Sequence, residues 1–129
     1  MSAVSMPMSK IHKEAMALLL AAKAHAERTL AQQPSNDLVG AMKARVEALR
    51  VTARLQHVVA WTLAQKAAQA GEIGRDVAMG PTYALPRDGI EAEATPMEVL
   101  DLLPQDLADL CVRSFDLYER VLRLTRLPA

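Results

Sequence analysis

The side chains in this chain that could do chemistry are few and scattered. His12, His25 and His57 are the only imidazoles and Cys111 the only thiol. No Glu-x-x-His or His-x-x-x-His pair occurs, so the spacing that sets two metal ligands on one helix face is missing. The stretch Gly71-Glu72-Ile73-Gly74 lacks the glycine spacing and following Lys of a phosphate loop. Each His therefore reads as a polar-face residue, and Cys111 as a small buried side chain at the edge of a helical stripe. A lone cysteine makes no internal disulfide and suits a reducing compartment. No catalytic, cofactor-binding or metal-ligating set is expected.

Two charged constellations remain. Arg45, Arg54, Gln56, Lys66 and Glu119 are the ingredients of a helical site of the chorismate-mutase type. There, cations and a Glu or Gln hold a dicarboxylate and stabilise charge on an ether oxygen. Their spacing matches no signature, so the chain reads as a non-enzyme, with this anionic-metabolite site as the alternative. Arg113, Arg120, Arg123 and Arg126 step along one helix as phosphate contacts do. They lack interleaved aromatics and sit beside Asp116 and Glu119. With 15 basic and 15 acidic residues the chain is net neutral, without the broad positive field that drives nucleic-acid affinity.

The elements that must position these residues are helices. At 129 residues, 51% hydrophobic and 3% aromatic, the chain has one domain's length and a core to build from Leu, Val, Ala and Met. A first helix is predicted over residues 9–33, with Ile11, Ala15, Leu18, Leu19, Ala22, Ala26 and Leu30 recurring at three and four. Pro34 and Ser35-Asn36-Asp37 form a turn with a ready N-cap. A second helix follows over 38–70, about 50 Å long, ending at the left-handed cap residue Gly71. A third spans 104–127, with Leu103, Leu107, Leu110, Ser114, Leu117, Val121 and Leu124 in alternating steps of four and three. The connector 71–103 is broken by Gly74, Gly80, Pro81, Pro86, Gly89 and Pro96. Inside it, Thr95-Pro96-Met97-Glu98 reads as a capping box opening a short helix over 96–103.

Neutrality hides an uneven distribution. Residues 38–71 carry five basic side chains against one acidic, and residues 72–111 carry nine acidic against two basic. The acidic connector either folds back on the basic helix or presents Asp88, Glu91, Glu93, Glu98 and Asp101 to a basic partner. The second helix raises a further question, because it is apolar on two sides. Met42, Val46, Leu49, Ala53, Ala60, Leu63 and Ala67 share one sector, the expected seam against the other helices. Val51, Leu55, Val58 and Thr62 lie opposite, with Trp61 and Arg54 at the border. That second side is expected to meet either the connector's Ile73, Val77, Met79, Tyr83, Leu85 and Ile90 or a second copy of the chain. The longest early apolar run, Ala15 to Ala22, is too short for a bilayer and is flanked by Lys and His. The expected location is the cytoplasm.

The run Thr52-x-Arg54-Leu55-x-x-Val58-x-x-Trp61-x-Leu63-x-Gln65-Lys66-Ala67, then Gly71-Glu72, resembles the central helix of the bacterial regulator-of-CtrA-degradation (RcdA) family. Leu117-Tyr118-Glu119-Arg120-Val121-x-Arg123-Leu124 is similar to that family's last helix. About a third of the chain carries the likeness. It implies a dimeric three-helix bundle acting as an adaptor that helps a response-regulator-primed ClpXP protease engage cell-cycle substrates. Gln56 and His57 stand where that family carries Met and Gln. The sequence ends at Arg126-Leu127-Pro128-Ala129, without the family's flexible tail, so the resemblance is to a tail-less paralogue. The combined expectation is an all-α three-helix bundle, homodimeric, working as a non-catalytic adaptor or regulatory scaffold. Val51, Leu55, Val58 and Trp61 are its expected dimer or connector contact. Glu91, Glu93, Glu98 and Asp101 are its expected partner surface, with ClpX and a response regulator as the implied partners.

Overall fold

The structure, a computed structural model, describes residues 5–32 and 36–125. The expected Pro34-Ser35 turn, Arg126 and the helix end at Leu127 lie outside the described residues. Among the described residues there are only helices and turns. The long helices are α1 (Ser5–Ala31), α2 (Leu38–Gln69) and α5 (Gln105–Thr125). Two one-turn helices, α3 (Arg75–Ala78) and α4 (Met97–Leu100), and a 3₁₀ turn at Ile90–Ala92 punctuate the connector. Every pair of long helices is in contact, which makes the fold a three-helix bundle.

Helix α2 begins and ends on local chemistry. The Asp37 carboxylate accepts from the Gly40 N–H at 2.9 Å, satisfying one of the orphan donors of the first turn. At the other end Gly71 takes φ +78°. Its N–H reaches the Ala68 carbonyl at 3.1 Å, and the Glu72 N–H reaches Ala67 at 2.9 Å. These are the two bonds of a Schellman cap, which needs a residue free to enter the left-handed region.

Helix α5 is as its stripe predicts: Leu107, Leu110, Ser114, Leu117 and Val121 are all buried, and Leu124 is half-buried. Helix α1 turns inward through Met8, Ile11, Ala15 and Leu18. Its last inward position is His25 rather than Ala26, and Leu30 is exposed.

The side of α2 that faces the bundle is the reverse of the expected one. Val51, Leu55, Val58 and Trp61 are buried in the core cluster with α1, α5 and the connector's Leu85. Met42, Val46, Leu49 and Leu63 are between 50% and 69% exposed. The physical reason is that the inward side contains four polar residues, each with a partner inside the protein. Arg54 and Glu47 are described below. Thr62 Oγ1 donates to the Val59 carbonyl at 2.9 Å and lies 2.9 Å from His12 Nδ1. Gln65 Nε2 donates to the Ala78 carbonyl at 2.8 Å. Satisfied polar groups are tolerated in a core, whereas a pattern of apolar spacing counts them against it. The bulkier Val, Leu and Trp side chains go inward, and the side thinned by Ala53 and Ala60 stays out.

The connector is held by polar ties and by apolar burial at Ala78, Leu85 and Leu103. Leu85 is buried and Ile73 and Tyr83 are half-buried, but Val77, Met79 and Ile90 face outward. The capping box does not form. Thr95 spends its hydroxyl on Glu47, Pro96 takes the N-cap place of α4 without a side-chain bond, and the helix covers one turn.

Candidate interaction site

Arg54 is the organising residue of the bundle's interior. It is fully buried, and its guanidinium reaches both the connector and α5. Nε donates to the Glu91 carbonyl at 3.0 Å and Nη2 to the Glu93 carbonyl at 2.7 Å. Nη1 donates to Ser114 Oγ at 3.1 Å and to the Cys111 carbonyl at 3.3 Å. The cation also lies 5.4 Å from the Phe115 ring centroid, a favourable electrostatic contact. Burial draws the Arg54 pKa down from its usual value, yet an arginine stays charged across physiological pH. A planar fork with five donors suits this task, because acceptors on two separate segments must be met at once.

Glu47 sits one turn or more before Arg54 on the same inward side. Its buried carboxylate accepts from Thr95 Oγ1 at 2.7 Å and lies 3.5 Å from Arg50 Nη1. Cys111 Sγ is 3.9 Å away, a weak contact, and burial pushes that thiol's pKa up. Farther along the connector, the Tyr118 hydroxyl donates to the Pro86 carbonyl at 2.5 Å. Burial, and then the Glu91 carboxylate, push the Tyr118 pKa up to about 12, so the hydroxyl keeps its proton. The basic-helix and acidic-connector halves thus meet chiefly through backbone carbonyls, with looser side-chain contacts at His57–Glu91 (3.7 Å) and Arg50–Glu93 (4.0 Å).

The far end of the bundle has its own tie. Asp106 Oδ2 lies 2.7 Å from His25 Nδ1 and accepts from Arg28 Nη2 at 2.6 Å, joining the end of α1 to the start of α5. Burial opposes ionisation of Asp106, but the Arg28 and His25 hydrogen bonds outweigh it and hold the carboxyl at about 2. Because the folded pKa lies below the unfolded one, its stabilisation is present above pH 4 and is lost as pH falls towards 2. The side chain is more than a third exposed, so solvent screening limits the effect to about 1 kcal/mol. Urea unfolding of Asp106→Asn against the parent should show a stability gap at pH 7 that closes between pH 4 and 2. A gap independent of pH would contradict this assignment.

The expected site residues are distributed unevenly. Val51, Leu55, Val58 and Trp61 belong to the chain's own core and are closed to a second copy; of the two coverings expected for them, the connector contributes through Leu85. Glu91 is half-buried against His57, while Glu93, Glu98 and Asp101 are exposed. The ingredients of an anionic-metabolite site are turned apart. Arg54 points inward with its donors occupied, whereas Arg45, Gln56 and Glu119 are exposed and Lys66 is half-buried. Arg120 is tied to Glu14 at 2.6 Å and to Asp116 at 3.1 Å, leaving Arg113 and Arg123 exposed on α5. The histidines are cross-helix tie points rather than plain polar-face residues. Among the described residues, no three His, Cys, Asp or Glu are grouped so as to hold a metal, and no helix is long and apolar enough to cross a membrane.

What the geometry leaves open is the outer side of α2. Val39, Met42, Val46, Leu49, Ala53, Gln56, Ala60, Leu63 and Ala67 follow one another in unbroken steps of three and four. The large apolar members of this stripe are exposed. It has the spacing of a coiled-coil seam, and no helix among the described residues covers it.

A family profile described as "Protein of unknown function (DUF1465)" matches residues 2–128. The chain belongs to this family. The match runs across all three long helices and the connector, so the Arg54 ties and the outer stripe both fall within the family's span. No curated protein and no solved structure matches the chain.

Proposed function

We propose that this member of the family is a non-catalytic adaptor or regulatory scaffold that works by presenting helical surfaces to other proteins. The observation that carries the reading is the exposed three-four stripe on α2. A monomeric soluble protein rarely leaves a contiguous apolar seam of this length without a use for it. The clasped connector supports the same reading from the other side. It holds an irregular acidic segment in a fixed place, with Glu93, Glu98 and Asp101 exposed for a basic partner. An adaptor of this kind acts by raising effective concentration, which requires surfaces rather than bond chemistry.

The resemblance to the regulator-of-CtrA-degradation family supplies the process. On that basis the protein is a cytoplasmic adaptor that self-associates and brings cell-cycle substrates to a ClpXP protease primed by a response regulator. The test is a tagged pull-down from the native host's lysate, read by mass spectrometry. Two variants run alongside: Glu93→Lys with Glu98→Lys and Asp101→Lys, and Leu49→Glu with Leu63→Glu. The expected result is recovery of ClpX or a receiver-domain protein by the parent, with loss in at least one variant. Recovery of neither class, or equal recovery by all three proteins, would overturn the proteolytic role.

A further inference from the structure

Resting on the reading of the α2 stripe as a docking surface, we infer that its occupant is an acidic amphipathic helix of another protein, with Glu or Asp beside an apolar seam of its own. In paired helices, the positions along either edge of the seam carry the charges that choose the partner. On α2 one edge holds Lys43, Arg50 and His57, and the other holds Arg45, Thr52, Val59 and Lys66. Both rows advance by seven residues, and neither contains a carboxylate. The one acidic residue of α2 is Glu47, which is buried. Arg50 is spent on Glu47, and His57 lies 3.7 Å from Glu91. Lys43 and Arg45 are exposed and Lys66 is half-buried. Among the described residues, none of these three has a carboxylate within ion-pair distance. Unpaired cations on both edges of an uncovered apolar seam are complementary to a helix with carboxylates on both edges of its own.

Helix α1 adds to the Lys66 edge. His12 lies 2.9 Å from Thr62, one turn before Lys66. Met16, Leu20 and Lys23 follow His12 along α1 in steps of four, four and three, and all three are exposed. Lys23 has one carboxylate near it, Glu27 at 4.0 Å, with both side chains well exposed. A visiting helix therefore finds more apolar surface and a further cation on this side. The same edge rows oppose a second copy of α2. With the stripes aligned, parallel pairing sets Arg45 against Arg50, and antiparallel pairing sets Arg45 against Lys66. Like charges across a seam select against that pairing. The self-association implied by the resemblance would then use another surface. An anionic bilayer would match the charge but not the shape. The stripe has no aromatic residue, and Ala53, Ala60 and Ala67 leave hollows. Side chains of a second helix fill such hollows, whereas a helix that lies in a bilayer surface inserts bulky Trp, Phe or Leu. From Val39 to Ala67 the stripe is about 42 Å long, the length of a four-heptad helix.

The probe is a labelled four-heptad peptide with Leu along its seam and Glu in both edge rows, whose own repulsion keeps it from self-pairing. A second peptide carries Lys in the edge rows, and vesicles of phosphatidylglycerol in phosphatidylcholine stand for the bilayer. Fluorescence anisotropy with the intact chain should show the Glu peptide binding, more weakly as salt rises. The Lys peptide should bind roughly tenfold less tightly or worse. Lys43 and Arg45 are exposed, so Lys43→Glu with Arg45→Glu is expected to fold, which circular dichroism checks. That variant should lose roughly tenfold in affinity for the Glu peptide and gain affinity for the Lys peptide. Leu49→Glu with Leu63→Glu should bind neither. Equal binding of the two peptides, or a charge-reversed variant that keeps the parental preference, would overturn the acidic occupant. So would binding of vesicles and neither peptide, or a parental dimer that Leu49→Glu with Leu63→Glu dissolves. If the parent binds neither peptide, the acidic occupant also falls. The docking reading then stands only if the Leu49→Glu, Leu63→Glu variant loses a partner that the parent captures from lysate; if it loses none, both fall.

Discussion

Arg54→Ala should destabilise the protein by roughly 4 kcal/mol, combining lost packing with orphaned acceptors. Globular domains are stable by only about 5–15 kcal/mol, so the variant should sit at or near the edge of folding. The size of the effect follows from what the side chain does. Three of its nitrogens serve four acceptors: two connector carbonyls, one α5 carbonyl and one α5 hydroxyl. Removing the guanidinium leaves these groups without that donor and opens a void in the interior. Arg54→Lys should rescue little, because a single ammonium on a flexible stem cannot bridge the connector and α5 together. Arg54→Met would restore volume without donors, and separates the packing share from the hydrogen-bond share. Urea unfolding of the three variants measures both. Near-parental stability of Arg54→Lys would mean that the charge, rather than the fork, is what matters.

The second large effect is expected on the inward side of α2. Leu55 and Val58 are fully buried in the cluster that joins α1, α2 and α5. Leu55→Glu or Val58→Glu would place a carboxylate there with no arranged partner. Burying an unpaired charge is among the few single changes expected to cost more than about 4 kcal/mol. The expected outcome is loss of cooperative unfolding, with circular dichroism showing reduced helix. An interface position would behave differently, giving a folded monomer of intact helicity.

The parts of the fold written by simple periodicity were legible from the sequence, and those that depend on paired polar groups were not. Helix α5 has one apolar side, so its stripe and its burial coincide from Leu107 to Val121. The caps at Asp37 and Gly71 depend on a few neighbouring residues and could be read locally. Helix α2 has two apolar sides, and counting apolar residues selected the wrong one. Glu47, Arg54, Thr62 and Gln65 looked like a polar interruption of the true inward side, because each has a partner 13 to 60 residues away in the chain. One signal was available: an arginine set among Val51, Leu55 and Val58 on an apolar side calls for a buried set of acceptors. The capping box failed for the same kind of reason. Thr95 could have closed α4 locally, but the buried Glu47 carboxylate needs its hydroxyl more.

The candidate site was legible as a pattern before it was placed. The stripe containing Met42, Val46, Leu49 and Leu63 is visible in the sequence, but its outward direction depends on Arg54 and Trp61 turning in. The acidic connector was likewise visible as charge. That its backbone carbonyls at Glu91 and Glu93, more than its carboxylates, anchor it to the basic helix required side-chain geometry.

The most direct test of which side of α2 faces the protein's own core is urea unfolding of Leu55→Glu beside Leu49→Glu, at a concentration where both are monomeric. The structure predicts that Leu49→Glu keeps the parental midpoint within the small range of exposed substitutions, about 0.5 kcal/mol. It predicts that Leu55→Glu loses most or all of its stability. A stable Leu55→Glu together with an unfolded Leu49→Glu would reverse the two sides of α2 and contradict the account.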